Sequence, residues 1–153
     1  MLFRSGICIA NIGATSAQEV ATHAFALILS IVRGVNTYKE VADRREWFKT
    51  PYPHIPPRLS EKKLGLVGFG NIGRSLATYA HATFDEVWFY DPAYELGTEV
   101  NGAISKSLDD VLAYSDVLSL HMPLMTATKH IINEDAFAKM KRGIYIEIGR
   151  AHV

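Results

Sequence analysis

The chemistry-bearing residues of this chain cluster around Gly68-Phe69-Gly70-Asn71-Ile72-Gly73, set behind the apolar run Leu64-Gly65-Leu66-Val67. Asp91 closes a second apolar run, Val87-Trp88-Phe89-Tyr90. Each residue type has its own mechanical job. Gly68 permits a tight turn out of a strand, Gly70 lets a pyrophosphate approach the backbone, and Gly73 lets the next helix lie close against the sheet. The helix opening there offers free N–H groups and the positive end of its dipole to an anion. Asp91 can accept hydrogen bonds from both hydroxyls of an adenosine ribose. Its charge repels a 2′-phosphate, which favours NAD over NADP. Strand, glycine turn, helix, strand and acid in this order make the dinucleotide-binding fingerprint. The plainer alternatives are a glycine turn with no ligand and, for Asp91, a turn acid before Pro92. Arg74 could reach a phosphate from the first helical turn or belong to a solvated helix face.

The elements needed to hold these residues are legible on both sides. From Lys63 onward the pattern is βαβ. It predicts strands near 64–67, 87–90, 117–120 and 144–146, a short one near 103–105, and helices at about 71–82, 108–114 and 133–141. Asn133 suits the N-cap of the last helix and Gly143 its stop. The short apolar strands suit a parallel sheet covered on both faces. Right-handed crossovers then make it doubly wound. Upstream, residues 6–12 read as extended, and Ser16-Ala17-Gln18-Glu19 has the form of a capping box. That box opens a long helix to about Val35, with Phe25, Ile28, Leu29 and Val32 at helical spacing. A shorter charged helix is predicted from about Thr37 to Arg45. Lys49 to Pro57 holds four prolines and reads as a surface connector. The organisation is therefore 6–60, helix and connector, then 61–146, the nucleotide-binding core.

Composition bounds the rest. The 153 residues make one domain's worth, with 16 Lys and Arg against 16 Asp and Glu, so no basic surface for nucleic acid and no acidic tail is expected. The single cysteine, Cys8, sits in Ile7-Cys8-Ile9-Ala10, where it reads as a small buried hydrophobe and fits a reducing, cytoplasmic setting. The apolar segment Ala21 to Val35 is interrupted by Thr22, His23, Ser30, Arg33 and Gly34, so a core helix is predicted and not a membrane span. No signal peptide, repeat or metal-ligand cluster is read.

Leu64 to Gly73, Tyr90-Asp91-Pro92, Ser115 to Leu124 and Met140-Lys141-Arg142-Gly143 together resemble the D-isomer-specific 2-hydroxyacid dehydrogenases. Asn11 to Arg33 is similar to the interdomain helix that enters the coenzyme domain in that family. It is closest to the branch of phosphoglycerate dehydrogenases and C-terminal-binding-protein co-repressors. The resemblance runs over residues 6–146. It implies a Rossmann-type NAD-binding domain, with Asn71 and Ile72 offering backbone contacts to the pyrophosphate. His121, Met122 and Pro123 would line the adenosine side, and Thr128 matches a threonine that closes over the cofactor. His121 carries no acid–base role in this reading. The resemblance also implies a homodimer pairing through the Ala17–Val35 region. Gly13, Ala17 and Met125 depart from the family's usual proline, hydroxyl residue and threonine.

The family's catalytic arginine, glutamate and histidine cannot be placed, and neither can its N-terminal substrate domain, so an incomplete coenzyme domain is expected. Arg150 falls one residue early for the catalytic arginine, without the glycine that should follow. Glu147-Ile148-Gly149-Arg150-Ala151-His152-Val153 is the translation of GAG ATC GGA AGA GCA CAC GTC, a common sequencing-adapter string. Leu2-Phe3-Arg4-Ser5 translates CTC TTC CGA TCT, the adapter of the opposite end. Residues 1–5 and 147–153 are therefore expected to be adapter read-through.

The function implied for the parent protein is hydride transfer between NAD and a D-2-hydroxy or 2-oxo acid, the fragment binding cofactor without turnover. The alternative from another class is an NAD-sensing, co-repressor-like binding protein. A different Rossmann enzyme, such as an adenosylhomocysteinase-like one, is opposed by His121-Met122-Pro123-Leu124.

Overall fold

The structure is a computed structural model that describes residues 15–46 and 55–149. Two helices come first, α1 (Ala17–Val32) and α2 (Val35–Asp43). The core follows as β1 (Lys63–Val67), α3 (Asn71–Ala80), β2 (Glu86–Tyr90), β3 (Glu99–Val100), β4 (Ala103–Ser105), α4 (Leu108–Tyr114), β5 (Val117–Leu120), α5 (Glu134–Lys139) and β6 (Tyr145–Ile148). The extended segment expected at 6–12, Cys8, and the proline-rich stretch up to His54 lie outside the described residues.

The six strands form one sheet in the order β3-β4-β2-β1-β5-β6. All neighbours are parallel except β3 and β4. From β1 the chain steps outward through β2 to β4, then returns to the other side of β1 as β5 and β6. The reversal falls between β1 and β5, so the crevice of this doubly wound sheet opens beyond their carboxyl ends.

Alternation along β1 sorts the two layers. Leu64 and Leu66 join α1 and α3 on one face, in a core with Ala21, Ala24, Ile28, Val32, Leu76, Ala77 and Phe89. Val67 joins Val111, Leu112, Leu118 and Ala136 on the other, beneath α4 and α5. Gly65 lets α4 come close: a Cβ there would lie 2.0 Å from Ser115 Oγ and 2.9 Å from Val111 Cγ1.

The predicted strands and helices of the core are present, with ends shifted by at most two residues. Three differences have local causes. The first helix stops at Val32, short of Val35, because Gly34 takes a left-handed φ of 64° and restarts the chain as α2. The capping box at Ser16 does not form: its side chain makes no cap hydrogen bond, and only its carbonyl is engaged, accepting from the Val20 amide. The antiparallel β3 was not anticipated, since two residues carry no readable periodicity. The cap at Asn133 does form, its Oδ1 accepting from the Ala136 amide at 2.9 Å.

No single helix among the described residues is long and apolar enough to cross a membrane. The pair α1 and α2 would pass by length and composition together but bends by 59°.

Candidate functional site

A cleft of about 840 Å³ opens at the carboxyl ends of β1, β2 and β5. Nine of the ten residues expected at the site line it: Gly68, Gly70, Asn71, Ile72, Asp91, His121, Met122, Pro123 and Thr128. Gly73 stands behind the loop. A Cβ on Gly73 would lie 2.5 Å from the Gly68 carbonyl oxygen, so this glycine seats α3 against the turn.

The other two glycines divide the work differently. Gly68 takes φ +94°, and a Cβ on it would meet the Met122 amide nitrogen at 2.7 Å. It therefore serves both the turn and the close passage of the chain leaving β5. Gly70 has nothing within 4 Å of its Cβ position. Its missing side chain leaves open space facing the cleft, beside the first-turn amides of α3 that a helix leaves without intrahelical acceptors.

Asp91 is the turn acid that the sequence offered as the plainer alternative, and it also lines the cleft. Its Oδ2 accepts from the Phe69 amide at 2.8 Å and its Oδ1 from the Ala93 amide at 2.9 Å. The carboxylate thus holds the glycine loop and the turn after β2 while standing in the cleft wall; each oxygen keeps a second acceptor position. Arg74 bonds Asn71 Oδ1 at 2.6 Å and lies on the exposed side of α3. Thr128 directs its hydroxyl proton to the Pro123 carbonyl, 2.6 Å away, and accepts from the Met125 amide at 2.8 Å. It closes its own loop at the rim.

His121 is buried beneath the cleft, its Nε2 2.8 Å from Ser119 Oγ. Ser119 donates to Glu147 Oε2, 2.5 Å away. A hydroxyl has one proton, so with that proton directed to Glu147 the imidazole must donate Nε2–H to Ser119. Nδ1 is then the bare nitrogen and has no partner among the described residues. Burial lowers the His121 pKa from 6.5 to about 4, which keeps the ring neutral. Burial raises the Glu147 pKa, opposed by the Ser119 hydrogen bond and by the charge of His23 on α1. The Ser119–Glu147 pair and Gly149, which backs onto His121, were not picked out from the sequence; nothing local marks a contact made across two strands. Ala17 and Val20, on α1, complete the far wall.

A doubly wound sheet with a glycine turn, an open helix N-terminus and an acid at its switch point defines a dinucleotide-binding fold of the Rossmann type. Residues 25–153 match the D-isomer specific 2-hydroxyacid dehydrogenase family, NAD binding domain. The chain belongs to that family. It is 34% identical over 147 residues to a hydroxypyruvate reductase of Blautia hydrogenotrophica, covering 92% of this chain and 45% of the relative. To a D-3-phosphoglycerate dehydrogenase of Bacillus subtilis it is 32% identical, covering 92% of this chain and 27% of the relative. A D-lactate dehydrogenase from Aquifex aeolicus, solved with NAD and lactic acid, superposes with a TM-score of 0.84 at 33% identity, covering 95% of this chain and 43% of that one. The chain thus spans less than half the length of these relatives.

Proposed function

We propose that this chain is the coenzyme-holding part of an oxidoreductase that moves hydride between NAD and the CH–OH carbon of a D-2-hydroxy acid. The observation that carries this reading is the pairing of Gly70 and Asp91 across one cleft at the switch point. One leaves room for a pyrophosphate, and the other presents a carboxylate to a ribose. The backbone amides of Asn71 and Ile72 would hold the phosphates at the N-terminus of α3. Asp91 would hold the adenosine ribose and disfavour a 2′-phosphate. His121, Met122 and Pro123 would form the opposite wall, with Thr128 at the rim. When bound, the nicotinamide supplies the hydride acceptor, and this segment supplies its orientation.

The catalytic arginine, glutamate and histidine of the reaction are proposed to belong to the parent protein outside this chain, so cofactor binding without turnover is expected here. Titration calorimetry with NAD and NADP tests the reading. Saturable NAD binding with NADP at least tenfold weaker supports it. A folded chain that binds neither overturns it.

Residues 1–5 and 147–153 are proposed to be adapter-derived. The burial of a carboxylate at Glu147, on a strand otherwise reading Tyr145-Ile146 and Ile148, supports this at the second end. Codons at these positions that differ from the adapter strings would sink it.

A further inference from the structure

Phe69 is the middle residue of the glycine turn, yet its side chain is buried, with 1% of its surface exposed. Its ring stacks on Phe89 of β2 with centroids 3.6 Å apart and planes 10° from parallel. Tyr94, just past the turn after β2, meets both rings edge-on, at 5.6 Å from Phe69 and 5.1 Å from Phe89. The backbone is tied to the same place. The Phe69 amide donates to Asp91 Oδ2, and the Tyr94 amide donates to the Asp91 carbonyl at 3.2 Å.

Glycines on both sides of Phe69 give this turn more conformational freedom to lose on ordering than side-chain-bearing residues would. A loop that must present amides to an anion binds better when that freedom is lost beforehand. Phe69 is the one residue of Gly68-Phe69-Gly70 with a side chain to be gripped, and the grip comes from β2 and Tyr94.

We propose that Tyr94, acting through the buried Phe69 ring, is a positioning residue for the nucleotide site. It locks the turn in the conformation that aims the Asn71 and Ile72 amides into the cleft. Tyr94 is half-buried and stands at the edge of the ring stack, so it touches the loop without lining the cleft. The role assigned here rests on the nucleotide-binding reading for its consequence, though not for the anchoring itself.

The test compares wild type with Tyr94→Ala and Tyr94→Phe by amide hydrogen exchange and by NAD and NADP titration. Tyr94→Leu replaces the alanine variant if that fails to fold. Loss of the edge-on ring should speed exchange at the hydrogen-bonded Gly68 and Phe69 amides relative to the strand amides of β1. It should also weaken NAD about five- to tenfold, from the scale of two aromatic pairs. The ratio of NAD to NADP affinity should stay within twofold, because Asp91 keeps its charge. Tyr94→Phe should restore both exchange and affinity. Unchanged exchange at Gly68 and Phe69 in a folded alanine or leucine variant overturns the proposal. So does a variant with faster exchange whose NAD affinity stays within twofold of wild type. If wild type itself binds no nucleotide, the functional reading fails, while the exchange measurement still decides whether Tyr94 anchors the turn.

Discussion

Ser119 and Glu147 face each other as register partners on β5 and β6, and the serine hydroxyl donates to the buried carboxylate at 2.5 Å. One of these oxygens belongs to a group that pays a heavy desolvation penalty when ionised in such a place. The same hydroxyl accepts from His121 Nε2–H, so one serine oxygen links two titratable side chains of opposite tendency.

Replacing Glu147 with leucine should stabilise the domain. The variant removes a buried carboxylate, and a shift of the imidazole proton to Nδ1 lets Ser119 donate to His121 Nε2, with Nδ1 still the atom that has no partner among the described residues. A gain of about 1–2 kcal/mol at pH 8 is expected, on the scale seen when buried ionic groups give way to apolar ones. Chemical denaturation at pH 8 measures it, and a loss of stability would show that the carboxylate is held favourably.

The acid response of the same variant follows from the two pKa shifts. His121 is lowered to about 4, so its contribution is fully present above 6.5 and is lost as pH falls through 4. Glu147 is raised, so its contribution is present below its ordinary value and is lost as pH climbs through the raised one. The two slopes oppose each other in mildly acidic solution. Glu147→Leu should therefore lose stability more steeply than wild type between pH 7 and 4.5, because the opposing carboxylate is gone; the variant's own loss there comes from the histidine and is at most about 3 kcal/mol. Parallel denaturation curves at several pH values check this; equal slopes for the two proteins would contradict it.

Gly68 and Gly70 should fail in different ways. Gly68→Ala forces a side chain into φ +94° and within 2.7 Å of the Met122 nitrogen, and should cost about 2–4 kcal/mol of stability. Gly70→Ala meets nothing and should leave thermal unfolding near wild type while weakening NAD at least tenfold. Thermal melts paired with NAD titrations separate the two cases. A Gly70→Ala protein with unchanged NAD affinity would refute the assignment of that space to a pyrophosphate.

Asp91→Asn keeps an oxygen able to accept from the Phe69 amide but loses the charge. Stability should fall by less than about 1 kcal/mol, NAD affinity by about tenfold, and the preference over NADP should narrow. Asp91→Ala removes both loop hydrogen bonds and should cost about 1–2 kcal/mol of stability as well. Denaturation together with competitive titration of the two cofactors reads out both effects.

Leu27 and Ile31, four residues apart on α1, are 40% and 47% exposed, and Val35 beyond them is 53% exposed. If the proposed dimer pairs through this face, a Leu27→Glu, Ile31→Glu double variant should elute as a monomer with its unfolding unaltered at equal concentration. Light scattering after size-exclusion decides it: a wild-type chain that is already monomeric removes this face from consideration.

Much of the site was legible because the fingerprint is local. Gly68 and Gly73 are fixed by what a turn and a packed helix forbid within six residues, and Gly70 stands between them over open space at the cleft. Asp91 is fixed by lying at the end of the next strand. The core elements were legible for a similar reason, since short apolar strands alternate with helices of clear period. The failures were at places where the competition is not local. Ser16 has the residue type and spacing of a capping box, but its backbone geometry, with φ −95° and ψ 9°, does not present the hydroxyl to the first-turn amides.

The sequence by itself determined the order of strands and helices, the glycine turn and the acid that answers it. Those depend on backbone sterics and hydrophobic period, which neighbouring residues express within a few positions. Only the tertiary structure decided how the turn is held. Phe69, Phe89 and Tyr94 form one ring cluster, and the Asp91 carboxylate reaches back to the Phe69 amide. It also decided that His121, Ser119 and Glu147 form one hydrogen-bonded chain. Parallel pairing brings residues 28 positions apart into register, and burial then decides the protonation of the groups that meet there.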